Sequence, residues 1–467
     1  MIFNVKRLLG LFVVTTALIA PAGVASAESL NDAMAAAYSS NPTLQAARAN
    51  QRATDELVPR ALSGWRPTVS MNAELRNTWS RTTNNVTRTF PPETVRVTRQ
   101  ENTSNAGVKI TLSQPVFNGF ATVEGVKQAE ANVQAGRQDL LATEQNTIFN
   151  AVQAYMNVYA DRQFVSLQQE NVRVLKSQLN ASDERFKVGE ITRTDVAQSR
   201  ASLSEAQATQ SRFEAQLAAD AATYLQIVGR EPGKLGYPKI AKLPKSLKEA
   251  LAAAGEINPS ILAKAFVEEA AQRNIEVQKS ALYPSIALEG SVQTRDDITA
   301  RAGSSDEASV AAVFSWQIYG GGDVQASIRQ AKQLASQRRI QVVETARAVR
   351  QAVAASWNSY ASFGEIISLR NQQVDAAQLA LEGVRQEYEA GTRTTQDVLD
   401  AVSAVVNAKL NLVAAQRDRV TFAYRLLASV GRLTARDLGL GVAYYDAEEN
   451  YNAVRGKWIG TGVETVE

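Results

Sequence analysis

No cysteine and no histidine occur anywhere in the 467-residue chain. Without thiols there can be no disulfide, no thiol nucleophile, no thiolate metal site and no lipid anchor on an N-terminal cysteine. Without imidazole, the usual general base and the commonest metal ligand are missing as well. Carboxylate or lysine chemistry stays formally open, but no clustering of such residues marks a cleft, so the expectation is a non-enzyme with no cofactor and no metal. A surplus of one charge is also lacking. The 50 basic residues are matched by 47 acidic ones, mixed along the chain, which argues against a nucleic-acid surface. Long apolar runs are rare too. Leu8 to Ala20 is one, preceded by Lys6 and Arg7 and followed by the small-residue pattern Ala25-Ser26-Ala27. Residues 1–27 therefore read as an export signal, with the mature chain expected to start at Glu28. At about 13 residues the run is too short for a membrane anchor, and no other segment reads as a transmembrane helix.

What is present is a duplication. Arg185-Phe186-Lys187-Val188-Gly189-Glu190-Ile191-Thr192-Arg193-Thr194-Asp195-Val196 returns about 202 positions later as Gln386-Glu387-Tyr388-Glu389-Ala390-Gly391-Thr392-Arg393-Thr394-Thr395-Gln396-Asp397-Val398, registered on Gly189/Gly391, Thr192/Thr394, Asp195/Asp397 and Val196/Val398. Leu30-Asn31-Asp32-Ala33 through Asn41-Pro42 matches Leu247-Lys248-Glu249-Ala250 through Asn258-Pro259 at a spacing of about 217. The first copy thus carries about 15 extra residues between Pro67 and Leu112, which are expected in a loop because loops absorb insertions at low entropic cost. The organisation read from this is a first repeat over 28–229, a Pro/Gly-rich connector over 230–246, a second repeat over 247–431 and a C-terminal segment over 432–467. That last segment shows no clear period and is expected to pack locally or stay partly disordered, with no site role.

Each repeat reads helix, β-hairpin, very long helix, turn, helix. Val69, Met71, Ala73 and Leu75 alternate with polar residues, as do Val108, Ile110 and Leu112; Ile286 to Val292 and Val310 to Ile318 repeat the pattern. Period two signals strands wet on one face. Trp79, Trp316 and Tyr319 are expected near strand ends, where aromatic rings suit a membrane interface. Two readings stay open here: hairpins lying on a soluble core, or strands in an outer membrane. Four strands are too few to close a barrel, so the membrane reading needs several chains. From about Thr122 to Lys187, and from about Asp323 to Glu389, there is no proline and little glycine. Each stretch predicts a helix of roughly 100 Å at 1.5 Å per residue. Helices of that length imply coiled-coil packing rather than a globular core. Return helices are predicted from about Thr194 to Val228 and from about Thr394 to Val430.

The paired turns, the duplicated hairpins ending in Pro115-Val116-Phe117-Asn118-Gly119, and the leader together resemble the TolC family of outer-membrane channel proteins, its alphaproteobacterial members above all. The resemblance spans essentially the whole mature chain. It implies an α+β membrane protein: a homotrimer whose twelve strands form one outer-membrane β-barrel, continued by a long periplasmic α-helical barrel. It also implies a passive exit duct for drugs, detergents, bile salts or secreted proteins. The implied partners are a periplasmic adaptor, an inner-membrane transporter of the RND or ABC type, and outer-membrane lipid. Adaptor docking falls on the turns at Val188, Gly189, Ala390 and Gly391, although Glu190 replaces the family's usual apolar residue.

The resemblance further implies a periplasmic gate. Tyr388 would hydrogen-bond Asp195 within a subunit, and Arg393 would reach Thr194 of its own subunit and Asp195 of a neighbour. The plainer alternative is that Asp195 and Asp397 cap the helices that follow them. Asp397 and Asp400 lie three apart on one helical face and would form rings of carboxylates at a constriction, favouring cations; as isolated residues they read as a solvated face. A second functional class stays in play: a periplasmic coiled-coil adaptor or structural protein, although adaptors normally carry one helical hairpin rather than two repeats with a β-hairpin each.

Overall fold

A computed structural model of the chain describes residues 28–298 and 303–463; the leader over 1–27 lies outside the described residues. The first repeat opens with α1 (Leu30–Ser40), α2 (Pro42–Asp55) and α3 (Leu57–Leu62). Asn41 ends α1 in extended backbone and caps α2, its side chain accepting from the Thr43 N–H, while Pro42 occupies the first helical position. Proline is tolerated there because that N–H has no intrahelical partner. Strands β1 (Thr68–Thr89) and β2 (Pro92–Asn118) follow, then α4 (Ala121–Lys187) and α5 (Arg193–Val228). The second repeat has α6 (Leu247–Ile257), α7 (Pro259–Lys279), β3 (Ser285–Asp297), β4 (Ser304–Ser315), α8 (Asp323–Glu389) and α9 (Thr395–Val430); α10 (Glu449–Arg455) lies near the C-terminus. Both α4 and α8 run 67 residues, and both α5 and α9 run 36. The duplication is therefore structural as well as sequential.

The four strands make one antiparallel sheet in the order β1-β2-β3-β4. Register places Val69 opposite Leu112, Leu112 opposite Gly290, and Gly290 opposite Val310. Met71, Ile110, Val292 and Ala308 form the next row. Residues directly opposite share a face, so these rows build one continuous apolar surface. Nothing among the described residues covers it: Val69 is 71%, Leu75 78% and Val310 80% exposed. This disfavours hairpins resting on a soluble core. The expected loop between Pro67 and Leu112 is instead ordered pairing, since β1 and β2 stay in register out to Thr89 opposite Pro92. Alternating Thr, Val and Arg residues suit a solvated two-stranded ribbon, so the insert lengthens the hairpin beyond the four-stranded region. Trp79 is accordingly inside β1 rather than at its end, level with Asn102, just beyond the first β2–β3 pair at Asn105 and Asp297. Trp316 and Tyr319 follow the end of β4, as expected.

The main core lies part-way along the helices. Met34 and Tyr38 of α1, Ile148, Val152 and Tyr155 of α4, Tyr224 of α5 and Tyr424 of α9 are buried together, joined by Leu433, Ala435 and Leu440. The C-terminal segment is thus packed locally, and Tyr38 accepts from the Tyr445 N–H at 2.9 Å. Its residues 464–467 lie outside the described residues. One expectation is corrected: among the described residues, α9 contains a stretch long and apolar enough to cross a bilayer, with 33% of it buried inside the subunit. Its alanines, valines and leucines serve close helix packing. Val398, Leu399, Val402, Val405 and Ala408 are all buried.

Candidate functional site

The two turns at the far ends of the long helices carry the residues singled out from sequence. Each helix ends on a glycine of positive φ, +82° at Gly189 and +78° at Gly391. The Glu190 N–H donates to the Arg185 carbonyl at 2.9 Å and the Gly189 N–H to the Phe186 carbonyl at 3.0 Å. Thr392 and Gly391 repeat this onto the carbonyls of Glu387 and Tyr388, at 2.9 and 3.1 Å. This pattern satisfies carbonyls that the helix end would otherwise leave free, and it needs a left-handed residue after the last turn. Val188 and Ala390, flanking the glycines, are exposed at the tip.

The next helices start with matched capping boxes. The Asp195 carboxylate accepts from the Thr192 N–H at 2.9 Å and its hydroxyl at 2.7 Å, while the Asp195 N–H donates to Thr192 Oγ1 at 3.3 Å. Asp397 and Thr394 repeat the arrangement at 2.9, 2.7 and 3.2 Å. Reciprocal bonding of this kind satisfies two free donors at a helix start. Each threonine's hydrogen bonds hold its aspartate below the ordinary carboxylate range; at Asp195 the Thr192 hydroxyl contributes most, at Asp397 the Thr394 N–H.

Around these caps the two turns differ. Tyr388 does not bond Asp195 directly. Its hydroxyl lies 3.3 Å from that of Thr395, and Thr395 also helps hold the Asp195 carboxyl down. Either hydroxyl can donate in the Tyr388–Thr395 contact. One buried hydroxyl therefore stands between the two residues expected to pair. Arg393 turns to its own repeat, bonding Glu387 at 2.7 Å and lying 3.9 Å from Asp397. Thr194, the second residue of α5, is exposed. Asp400 is exposed and accepts from Gln396 at 2.8 Å, so Asp397 and Asp400 are brought to one helical face but each has a partner within the subunit.

Three residues were missed from sequence: Thr395, Glu387 and Arg185, whose guanidinium lies 4.6 Å from the centre of the Tyr388 ring. A signal for them exists in the duplication itself. Both turns have the same backbone to build, yet Arg185 is aligned with Glu387, Phe186 with Tyr388 and Arg193 with Thr395. Differences at equivalent positions serve something other than the shared fold. No group of three or more acidic residues that could hold a metal occurs among the described residues.

An uncovered apolar sheet with two unpaired edges, carried on paired helices each 67 residues long, defines a channel protein of the outer membrane with a helical periplasmic body. The chain belongs to the outer membrane efflux protein family, whose profile matches residues 33–230 and 250–432. It is 37% identical over 457 residues to the outer membrane efflux protein BepC of Brucella suis biovar 1, spanning 97% of this chain and 96% of that one. Outer membrane protein TolC of Escherichia coli K12 is 26% identical over 440 residues, spanning 89% and 84%. Among solved structures, the Campylobacter jejuni CmeC outer membrane channel superposes with a TM-score of 0.74 at 14% identity, covering 97% of this chain and 98% of that one; this likeness bears on the fold alone.

Proposed function

We propose that three copies of the chain close their sheets edge to edge into one twelve-stranded barrel and align their long helices as a tunnel through the periplasm. The observation that carries this is the sheet. Its β1 and β4 edges have no partner among the described residues, and its apolar face is exposed. Lipid offers no hydrogen bonds to an open edge, so a sheet in that setting has to close. The span of β2 from Asn105 to Asn118, which pairs with β3 except for a bulge between Pro115 and Phe117, extends ~45 Å, enough for a tilted strand to cross a membrane.

The assembly is a passive exit duct for efflux and secretion. Energy comes from an inner-membrane transporter of the RND or ABC type, and a periplasmic adaptor docks at the exposed turns around Val188, Gly189, Ala390 and Gly391. Tyr388, Thr395 and Asp195 hold the tip closed within a subunit. Arg393, one residue before the α9 cap, reaches Thr194 and a neighbour's Asp195 in the closed trimer by exchanging its Glu387 contact. Arginine suits that exchange because its planar fork makes directed bonds to carboxylates. Charge-assisted bonds of about 1–3 kcal/mol each, repeated by symmetry, bias a two-state opening that an adaptor can reverse. Asp397 and Asp400 then ring the constriction and favour cations.

The test is planar-bilayer conductance of the purified protein, comparing wild type with Tyr388→Phe combined with Arg393→Ser. The double variant should conduct much more. Equal conductance would remove the gate assignment and leave the duct.

A further inference from the structure

The chain is nearly neutral overall, but its connector is not. From Arg230 to Lys248 there are six basic residues and one acid, Glu231. Lys234, Lys239, Lys242, Lys245 and Lys248 are all exposed, and none of their ammonium groups has a carboxylate or hydrogen-bond partner among the described residues. The backbone beneath them is fixed. Leu235, Ile240, Ala241 and Leu243 pack on the main core. Arg162 of α4 donates to the carbonyls of Pro232 and Gly233, and Tyr155 Oη accepts from the Gly236 N–H at 3.1 Å. Apolar residues facing in thus present the lysines outward, the later ones at three-residue intervals, which in extended chain is at most ~10 Å.

Beside this row lies a cavity of about 920 Å³ bordered by Lys239, Lys242, Lys245 and Arg432. Two carboxylates also border it, Glu249 and Asp437, but both are engaged locally. Glu249 accepts from the Lys245 N–H at 3.0 Å and Asp437 from the Thr434 hydroxyl at 2.8 Å. Those neutral donors leave both carboxylates charged, so four cations against two anions keep the rim net positive.

We propose that the connector is an anchoring surface for a carboxylate-bearing polymer of the cell wall. Position argues against lipid headgroups. The connector meets α4 at Tyr155 and Arg162, whereas α4 starts at Ala121 directly below the sheet. At 1.5 Å per residue, that places it ~50 Å from the membrane-facing strands. Composition argues against a folded protein partner, because lysine is depleted from protein interfaces and aromatic anchors are enriched there. Flexible ammonium groups in a row suit an extended polyanion, bound by summed charge rather than shape. The inference takes the periplasmic placement of the helices from the proposed function and adds a partner to it.

The experiment uses the full chain in nanodiscs of neutral lipid, sedimented with isolated cell-wall sacculi. Wild type should co-sediment at ~50 mM salt and release at ~500 mM, as screening removes the attraction. Replacing all five lysines by glutamine should weaken binding at least about tenfold, replacement by arginine should retain it, and sacculi with amidated carboxyl groups should bind wild type no better than the glutamine variant. Binding unaffected by glutamine or by amidation overturns the proposal. So does preference for phosphatidylglycerol liposomes over sacculi. Conductance measured on the same preparation separates the two readings: a conducting wild type that ignores sacculi refutes the anchor and leaves the duct.

Discussion

The Arg185 guanidinium lies over the ring of Tyr388, 4.6 Å from its centre, so the long helices of the two repeats touch at their far ends. The same tyrosine bonds Thr395 through its hydroxyl. Ring and hydroxyl therefore do different work. Tyr388→Phe should keep the stacking, worth about 0.5–1 kcal/mol at an exposed site, and lose only the link towards Asp195. Tyr388→Ala should lose both. Single-channel recording should show open probability rising from wild type to Phe to Ala; a Phe variant as open as the Ala variant would mean that the ring contributes nothing.

The two turn glycines make a clean test of backbone strain. A Cβ at Gly189 or Gly391 would meet no atom within 4 Å, yet both residues have positive φ. Alanine should therefore cost about 1–2 kcal/mol at each site through the left-handed conformation alone. Thermal unfolding should show the two losses equal and additive. No loss at either site would mean that the turn rearranges without a left-handed residue.

Thr192→Ala and Thr394→Ala each remove a capping box, at about 0.5–2 kcal/mol per helix start. Because Asp195 and Asp397 are held below the ordinary carboxylate range, the caps contribute fully above the unfolded value near 3.8 and are lost as pH falls through the lower folded value. Hydrogen exchange at the first turns of α5 and α9 should accelerate in the alanine variants at neutral pH. Unchanged protection there would show that packing, not the caps, holds these turns.

Between α4 and α5, Asp161 is 5% exposed, and its carboxyl is pushed up to about 7. Burial is the main cause; the neighbouring Asp220 carboxyl adds to it, and Arg417 opposes it. A folded value above the unfolded one gives stability that is complete below about 4 and lost as pH rises through about 7. The melting temperature should therefore fall across that window, and Asp161→Asn should flatten the fall. Identical slopes for wild type and variant would show that Asp161 does not carry it.

Much of this architecture is legible in the sequence because its signals are long and repeated. Helices expected from about Thr122 and Asp323 are observed at Ala121–Lys187 and Asp323–Glu389, since proline-free stretches of that length leave few alternatives. The hairpin extension was not legible. Thr, Asn and Arg in alternation satisfy a solvated ribbon as well as a loop, and only long-range register tells them apart. At the tip, the glycines and aspartates were visible because both copies need them. Thr395 was not, because its role comes from a neighbouring repeat reached through the fold. Asp161 escaped for a similar reason: its partner Asp220 is on another helix.

Everything proposed for the duct depends on the open sheet finding its own copies. Native mass measurement of the detergent-purified protein tests this most directly. A complex of three chains that keeps its mass on dilution and inserts into lipid bilayers is expected. A stable single chain with no affinity for lipid would contradict it.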